Sequence, residues 1–208
     1  MTAYHLSLKH MTHKPFSQAC ENNKAPILQV IGSVFCQPAT VWEIGSGTGQ
    51  HGCYFAEHLP HIEWQPTDRE ENIPGIGLWQ KEALIPNLKP PLTLDVTDAV
   101  WPCRAIDALF TANTLHIMSW DDVQICFDRL ADYLSPKALV CIYGPFNYNG
   151  AYTSDSNARF DLWLKSQNPL SGIRHFEDIV LLATCKGLSL LSDIAMPANN
   201  RLLVFQNT

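Results

Sequence analysis

The sequence predicts an α/β fold built on a mostly parallel sheet, and three observations support this. After residue 36, short β-rich runs alternate with segments of helical periodicity, which is typical of βαβ units. The run at 106–113 is almost continuously apolar, as a strand buried on both faces should be. The last two β-rich runs, 188–196 and 201–206, are joined only by PANN, which is too short for a parallel crossover. We therefore expect the sheet to end in a C-terminal antiparallel hairpin.

The elements are expected in the following order. Residues 1–16 form a polar leader that we expect to be flexible, and residues 17–208 form one domain. Helical periodicity begins at Ser17, and Pro26 is placed in the first turn of a helix over 26–35. Five strands, at 40–44, 61–67, 92–96, 106–113 and 138–144, precede the hairpin. Further helices are expected at 50–59, within 74–83, from Ser119 onward, at 158–166 and at 176–186.

Composition and charge exclude several classes of protein. The net charge of −6 disfavours nucleic-acid binding through a basic surface. No segment reaches the length of a membrane span or of a signal peptide. The seven cysteines include no C-x-x-C pair, which fits a reducing compartment and predicts a cytoplasmic protein. His5, His10 and His13 are interpreted as part of a solvated leader, so no metal is expected. The oligomeric state is not indicated.

A glycine-rich loop follows the first predicted strand in the stretch EIGSGTGQHG, residues 43–52. Gly45, Gly47 and Gly49 allow a ligand to approach the backbone closely. Counted from Gly47, the loop also matches the dinucleotide fingerprint G-x-G-x-x-G. Asp68 ends the second strand about 20 residues later. A carboxylate at this position binds ribose hydroxyls, whether the ligand is a dinucleotide or another nucleoside. The loop therefore indicates a nucleoside ligand without deciding which one.

Neighbouring residues favour S-adenosylmethionine over a dinucleotide. Glu43 ends a buried strand, where a cationic amino-acid group would compensate its charge and a pyrophosphate would be repelled. Asp95 and Val96 end the third strand and suit an adenine edge and ring. The alternative, that Glu43 and Asp95 only cap or pair within the protein, stays open. Tyr133 and Lys137 match the Y-x-x-x-K pair of short-chain dehydrogenases, but the intervening Pro136 breaks the helix that the pair requires. An NAD-dependent oxidoreductase is therefore disfavoured.

The chain resembles class I S-adenosylmethionine-dependent methyltransferases, and more narrowly the methyltransferase-like protein 26 family. The stretches that carry the resemblance are ENNKAPIL (21–28), EIGSGTGQH (43–51), WQPTD (64–68), LDVTDAVWP (94–102), NTLHIMSW (113–120), YGPFNYNGAYTSDSNARFD (143–161), GIRHFED (172–178) and MPANN (196–200). The glycine loop is typical of the whole superfamily, whereas YGPF…SNARFD and MPANN are more specific. The resemblance implies a Rossmann-like, seven-stranded sheet with helices on both faces and S-adenosylmethionine as cofactor.

The resemblance also implies positions for the cofactor, but no acceptor. It places Glu43, Gly45, Gly47, Thr48 and Gly49 on the cofactor loop, Asp68 at the ribose, and Asp95 and Val96 at the adenine. Asn113, after the fourth strand, would face both cofactor and substrate. The place after this strand reads NTLH rather than the Asn/Asp-Pro-Pro-aromatic tetrad of many nitrogen methyltransferases. A small-molecule or protein acceptor is therefore favoured over a nucleic acid.

Three residues are candidates for the acceptor side. His116 is a candidate general base, although it could instead cap a helix or face the cofactor. Tyr143 would form an aromatic wall or pack in the core. Arg159 would bind an acidic substrate group or pair with Asp155 or Asp161. The sequence thus predicts a methyltransferase with an unidentified acceptor. The alternative is a scaffold protein that binds the cofactor without transferring its methyl group.

Overall fold

The computed structural model describes residues 13–208, in which helices and strands alternate along the chain. The helices are α1 (Gln18–Val34), α2 (Gln50–His58), α3 (Ile73–Ala83), α4 (Trp120–Tyr133), α5 (Asp155–Gln167) and α6 (Phe176–Cys185). The strands are β1 (Ala39–Ile44), β2 (Ile62–Asp68), β3 (Leu92–Thr93), β4 (Ile106–Ala112), β5 (Leu134–Gly144), β6 (Phe146–Asn147), β7 (Arg174–His175), β8 (Leu188–Met196) and β9 (Asn200–Asn207). No helix within 13–208 is long and apolar enough to cross a membrane.

Seven of these strands form one sheet, and the predicted fold class is confirmed. Its order is β3-β2-β1-β4-β5-β9-β8, while β6 and β7 form a separate two-stranded pair. Strands β1 to β5 are parallel, so their carboxyl ends meet at one edge of the sheet. Strand β9 runs antiparallel to both β5 and β8, as the short PANN connection predicts. Because Arg201 pairs with Gly144, the hairpin turn lies at this same edge.

Helices cover both faces of the sheet, which leaves two apolar cores. On one face, α1 and α2 pack against the sheet through residues such as Ile27, Ile31 and Phe55. On the other face, α4 and α6 bury Phe127 and Ile179. Helix α4 begins with the capping box that the sequence indicates, in which Ser119 and Asp122 each bond to the other's backbone. This two-sided burial explains why the parallel strands are so apolar.

Many elements differ from their predicted bounds, and three of these differences have a clear physical cause. Helix α1 runs through Pro26 instead of starting there, because proline removes one helix hydrogen bond while Ile27 and Ile31 stay packed on the sheet. Strand β3 ends at Thr93, not at residue 96, because Asp95 forms a turn with Thr97. Strand β5 begins four residues early. The pairing with β4 shifts register at its start, which accommodates a bulge there.

Residues 1–12, including His5 and His10, lie outside the described residues, and the flexibility expected for the leader stays a prediction. Within the described part of the leader, Lys14 and Pro15 contact α3. The Lys14 ammonium pairs with Glu82 at 2.6 Å, and the carbonyl of Pro15 accepts a hydrogen bond from Trp79 at 2.7 Å. Across residues 13–208, no group of three or more His, Cys, Asp or Glu side chains is placed to hold a metal ion.

Candidate cofactor and acceptor site

The glycine loop between β1 and α2 has three glycines in the left-handed region. A Cβ at Gly45 (φ +73°) would lie 2.6 Å from the Thr114 hydroxyl oxygen. A Cβ at Gly49 (φ +88°) would lie 3.1 Å from the Cα of Ile76. At Gly47 (φ +57°), by contrast, a Cβ would meet no atom within 4 Å. Packing within the protein therefore explains Gly45 and Gly49, whereas Gly47 borders open space at the carboxyl edge of the sheet.

Asp68, at the end of β2, is attached to this loop. Its Oδ2 atom accepts a hydrogen bond from the Gly47 amide at 2.6 Å. Its Oδ1 atom accepts from the Arg69 amide and from the Asn72 side chain, both at 2.8 Å. An ionised carboxylate has about four acceptor sites, so these three bonds leave capacity for a further donor. The structure thus brings Gly47 and Asp68 together, as their spacing of about 20 residues predicts.

Thr67 joins the loop to β2 through its backbone and its side chain. Its carbonyl oxygen accepts from the amides of both Gly45 and Ser46 at 3.0 Å. Its amide donates to the Ser46 hydroxyl at 3.1 Å, and its own hydroxyl donates to the carbonyl of Glu43 at 2.7 Å. The ends of two neighbouring strands are therefore held together by four hydrogen bonds around one residue.

Glu43 is buried, with only 1% of its surface exposed. Its Oε2 atom accepts hydrogen bonds from the Ser46 hydroxyl at 2.8 Å and from the Trp64 indole at 3.0 Å. Burial raises the pKa of this carboxyl to about 7, against the opposing effect of these two bonds. The carboxyl therefore connects the loop to β2 through contacts within the chain. Thr48 also bonds within the chain, since its hydroxyl donates to Gln50 at 3.0 Å.

The raised pKa of Glu43 predicts a pH-dependent stability. The folded state holds this proton more tightly than the unfolded state, so the free energy of unfolding should fall as pH rises from about 4.5 to about 7. Glu43→Gln has no such proton to lose. The free energy of unfolding of the variant relative to that of wild type should therefore rise by ~3 kcal/mol between pH 4.5 and pH 8. Urea unfolding at both pH values measures the difference. The exposed Glu57→Gln is the control, and parallel curves for Glu43→Gln and wild type would contradict the assignment.

The predicted adenine residues follow β3 at the same edge of the sheet. The amide of Leu94 donates to the carbonyl of Asp68 at 2.8 Å, which holds this segment beside the loop. The Oδ1 atom of Asp95 accepts from the hydroxyl and the amide of Thr97, and these two bonds, the hydroxyl first, lower the pKa of Asp95. Val96 is buried in the apolar core. Asp95 Oδ1 is thus engaged in its own turn.

Asn113 and His116 converge above Gly144, at the carboxyl end of β5. Asn113 has a left-handed backbone (φ +58°), and its amide donates to the carbonyl of Tyr143 at 2.9 Å. A Cβ at Gly144 would lie 3.8 Å from His116 Nδ1 and 4.0 Å from Asn113 Oδ1. His116 is 5% exposed, and burial lowers its pKa to about 4, so the ring is neutral at neutral pH.

The loop that carries His116 is fixed by Arg174, which the sequence reasoning did not single out. The Arg174 guanidinium donates to the carbonyl oxygens of Leu115, Met118 and Leu170. Two neighbours add to this, because Gly172 donates to the carbonyl of His116 at 2.9 Å and Ser171 to that of Ile117 at 2.6 Å. An arginine that binds backbone carbonyls leaves no charge pattern in the sequence, so no signal was available.

Tyr143 lies on the opposite face of the sheet from His116. Successive residues of a strand point to opposite faces, and Tyr143 belongs to the core under α1 and α2. Burial raises the pKa of Tyr143, and the neighbouring Asn23 side chain contacts His51 Nε2 at 2.6 Å. The structure therefore does not bring Tyr143 and His116 together. The sequence analysis did not single out Asn23 either. Asn23 precedes Ile27 by four residues and Ile31 by eight, and this helical spacing indicates a side chain that faces the core.

Arg159 lies on the outer side of α5. Asn157 and Asp161 of the same helix are buried, whereas Arg159 is exposed. Asp161 is occupied by Lys165 at 2.5 Å and by the Tyr152 hydroxyl at 2.7 Å. Among residues 13–208, Arg159 forms no ion pair with Asp155 or Asp161. The structure thus leaves Arg159 without either predicted acidic partner, while the adjacent Phe160 contacts the His116 ring at 5.3 Å between ring centroids.

Several solved structures are similar to this chain. An O-methyltransferase family 2 protein from Planctomyces limnophilus, in complex with apigenin, matches with a TM-score of 0.81 and 13% identity over 91% of this chain and 58% of its own. An O-methyltransferase family protein from Burkholderia thailandensis matches with a TM-score of 0.77 and 16% identity over 89% of this chain and 56% of its own. The S-adenosylmethionine-dependent methyltransferase SibL, in its apo form, matches with a TM-score of 0.74 and 17% identity over 91% of this chain and 55% of its own.

These similarities establish a Rossmann-like class I methyltransferase fold and, at such low identity, nothing further. The chain spans a little over half the length of the solved structures that it matches. A match of a different kind covers nearly all of the described chain. Residues 14–207 fit the model of a family described as "Protein of unknown function (DUF938)". The chain belongs to this DUF938 family.

Proposed function

We propose that the protein is an S-adenosylmethionine-dependent methyltransferase with a small-molecule or protein acceptor. The observation that carries the proposal is the open, left-handed backbone of Gly47 beside the Asp68 carboxylate. A side chain at Gly47 would fill this space, while no packing within 4 Å accounts for the glycine. The class I methyltransferase fold of the solved neighbours supports the same cofactor. The narrower relation to the methyltransferase-like protein 26 family is part of this proposal.

The residues around the loop fit each part of the cofactor. The backbone at Gly45, Gly47 and Gly49 would face its amino-acid portion, and Asp68 would accept hydrogen bonds from the ribose hydroxyls. Asp95 and Val96 would lie at the adenine, and Asn113 would face the reacting centre. When bound, S-adenosylmethionine supplies an electrophilic methyl group, so the protein has to align the acceptor and exclude water more than to activate the donor.

His116 is the group that we assign to the acceptor side. It is buried and neutral, so Nδ1, the nitrogen near Gly144, can accept a hydrogen bond from a hydroxyl acceptor and orient it. The absence of a side chain at Gly144 leaves room for a methyl-sized group next to this nitrogen. The neighbours from Planctomyces limnophilus and Burkholderia thailandensis are both described as O-methyltransferase family proteins, which is compatible with an oxygen acceptor.

A matched pair of glycine variants tests the cofactor site. Gly47 and Gly150 both have positive φ (+57° and +74°), and a Cβ at either would meet nothing within 4 Å. Gly47→Ala and Gly150→Ala should therefore lose similar stability, about 1 kcal/mol each. Only Gly47→Ala should weaken binding of S-adenosylmethionine in isothermal titration, by about tenfold or more. Equal affinity of both variants and wild type would remove the proposed site.

A transfer assay separates the enzyme from the scaffold alternative. The wild-type chain is incubated with methyl-labelled S-adenosylmethionine and a cell extract, and incorporation into small molecules and proteins is measured. We expect incorporation that His116→Ala reduces without loss of cofactor affinity. Cofactor binding without incorporation would favour a scaffold protein, and binding of NADH in a fluorescence titration would favour an oxidoreductase instead.

A further inference from the structure

A pocket of about 440 Å³ opens beside the β8–β9 hairpin. Tyr148 and Thr153 line it from the segment before α5, and Met196, Asn200 and Arg201 line it from the hairpin. Because Arg201 pairs with Gly144, the pocket lies at the sheet edge that also carries the glycine loop. A volume of this size is in the range of small-molecule sites, roughly 300–1,000 Å³.

The hairpin turn beside the pocket has a strained backbone that α5 holds in place. Ala198 (φ +57°) and Asn199 (φ +58°) are consecutive non-glycine residues in the left-handed region. The Asn157 side chain of α5 donates to the carbonyl of Asn199 at 3.2 Å and also to the Thr153 hydroxyl at 2.9 Å. Strain of this kind persists where the surroundings enforce it, and it is commonly found at ligand sites.

Arg201 is held rigidly in the wall of the pocket. Its Nε atom donates to Asp193 Oδ1 at 2.7 Å, and its Nη2 atom donates to the Asp193 carbonyl at 3.1 Å. The Tyr148 hydroxyl donates to Asp193 Oδ2 at 2.8 Å, so both carboxylate oxygens are occupied. The Arg201 side chain remains 27% exposed, and its Nη1 atom has no hydrogen-bond partner among residues 13–208. A guanidinium fixed in this way presents its free N–H groups to an anionic oxygen.

Arg201 and His116 are on the same side of the sheet. Residues that pair directly across antiparallel strands point to one face, so Arg201 shares the face of Gly144. The same face carries His116, whose Nδ1 lies 3.8 Å from the position of a Gly144 Cβ. Arg201, in the wall of the pocket, is therefore paired with Gly144 on the neighbouring strand, on the face of the sheet that carries His116.

We propose that this pocket binds the methyl acceptor, and that the acceptor is a small carboxylic acid whose carboxylate accepts hydrogen bonds from Arg201 Nη1. Asp193 already balances the charge of Arg201, so a singly charged carboxylate fits better than a doubly charged phosphate. The proposal rests on the proposed methyltransferase function, which it extends to an acceptor class.

A fractionated extract tests the acceptor class directly. The low-molecular-mass fraction of a cell extract is separated on an anion exchanger before the reaction, and each pool is incubated with the full chain and methyl-labelled S-adenosylmethionine. We expect labelled product from the retained pool, and no change when that pool is first treated with phosphatase. Label arising only from the unretained pool, only from protein, or only from the phosphatase-sensitive material would overturn the proposal.

Variants of Arg201 separate recognition from folding. Arg201→Gln should reduce labelling about tenfold or more while cofactor affinity stays within about twofold of wild type. Arg104→Gln, an exposed arginine at the opposite edge of the sheet, should change neither quantity. The double variant Arg201→Gln/Asp193→Asn keeps a neutral hydrogen-bonding pair and should restore stability but not labelling. Recovery of wild-type labelling in the double variant would show a structural role and overturn the proposal.

The outcomes also separate this proposal from the one on which it rests. A wild-type chain that binds S-adenosylmethionine but labels no retained acid contradicts the acceptor assignment alone. A wild-type chain that fails to bind S-adenosylmethionine contradicts the proposed function, and the acceptor assignment is then overturned with it.

Discussion

Asp68→Asn is expected to weaken S-adenosylmethionine binding on the order of 100-fold. Both carboxylate oxygens accept hydrogen bonds from N–H donors, namely Gly47 on one side and Arg69 and Asn72 on the other. An asparagine in either orientation sets its own NH₂ group against one of these donors. The variant therefore loses an acceptor for the ribose and also disturbs the loop, and charge-assisted bonds of this type contribute about 1.5–3 kcal/mol each.

Asp95→Asn serves as the comparison for Asp68→Asn. Asp95 Oδ1 is engaged by Thr97 alone, and its position would affect only one edge of the adenine. We expect a loss of only about fivefold in affinity. Isothermal titration gives both constants, and thermal melts identify any loss of folded protein. Equal affinities for Asp68→Asn and wild type would remove Asp68 from the binding site.

Arg174→Gln is expected to have the largest effect on the acceptor side. Its guanidinium holds three carbonyl oxygens of the segments around His116 and at 170, and its loss leaves those acceptors unsatisfied. The free energy of unfolding should fall by about 3 kcal/mol. Methyl transfer should fall by about tenfold or more, mainly in kcat, because the acceptor position shifts relative to the donor. Cofactor affinity should stay within about twofold of wild type.

Arg174→Lys is the matched variant, since lysine keeps the charge but cannot reach three carbonyls in one plane. It should recover part of the stability and less of the transfer rate. Both variants are assayed well below their melting temperatures, where the folded fraction is complete. If the transfer rate follows the folded fraction alone, Arg174 has only a structural role.

The sheet was predictable because each strand carries its own signal. The apolar runs, the turn residues between them and the short PANN connection define the order of elements and the antiparallel hairpin without tertiary information. Errors occurred where local signals compete with packing. Pro26 suggested a helix start, but the apolar face at Ile27 and Ile31 keeps α1 continuous through it. Asp95 sits in a β-rich run, yet its side chain forms a turn instead.

The candidate site was predictable only in part. Gly47 follows one strand and Asp68 ends the next, with a helix between them. Because these two strands are parallel neighbours, the sequence alone predicts that the two residues meet at the same edge of the sheet. Tyr143 is a candidate for the acceptor side because it lies at the carboxyl end of the fifth strand, but its side chain points to the other face of the sheet and packs in the core, the alternative that the sequence left open. Arg174 acts through contacts with a segment far away in sequence, and Arg201 through a partner on the neighbouring strand of the hairpin, and a single sequence carries no trace of such pairs.

The bonds around Thr67 have a consequence for the speed of ligand capture. Four hydrogen bonds already fix the two strand ends before any ligand arrives. Encounter with a nucleoside therefore requires no ordering of this segment, and association should proceed at a similar rate for tight and weak ligands. Discrimination among related nucleosides should then appear in how long each one stays bound.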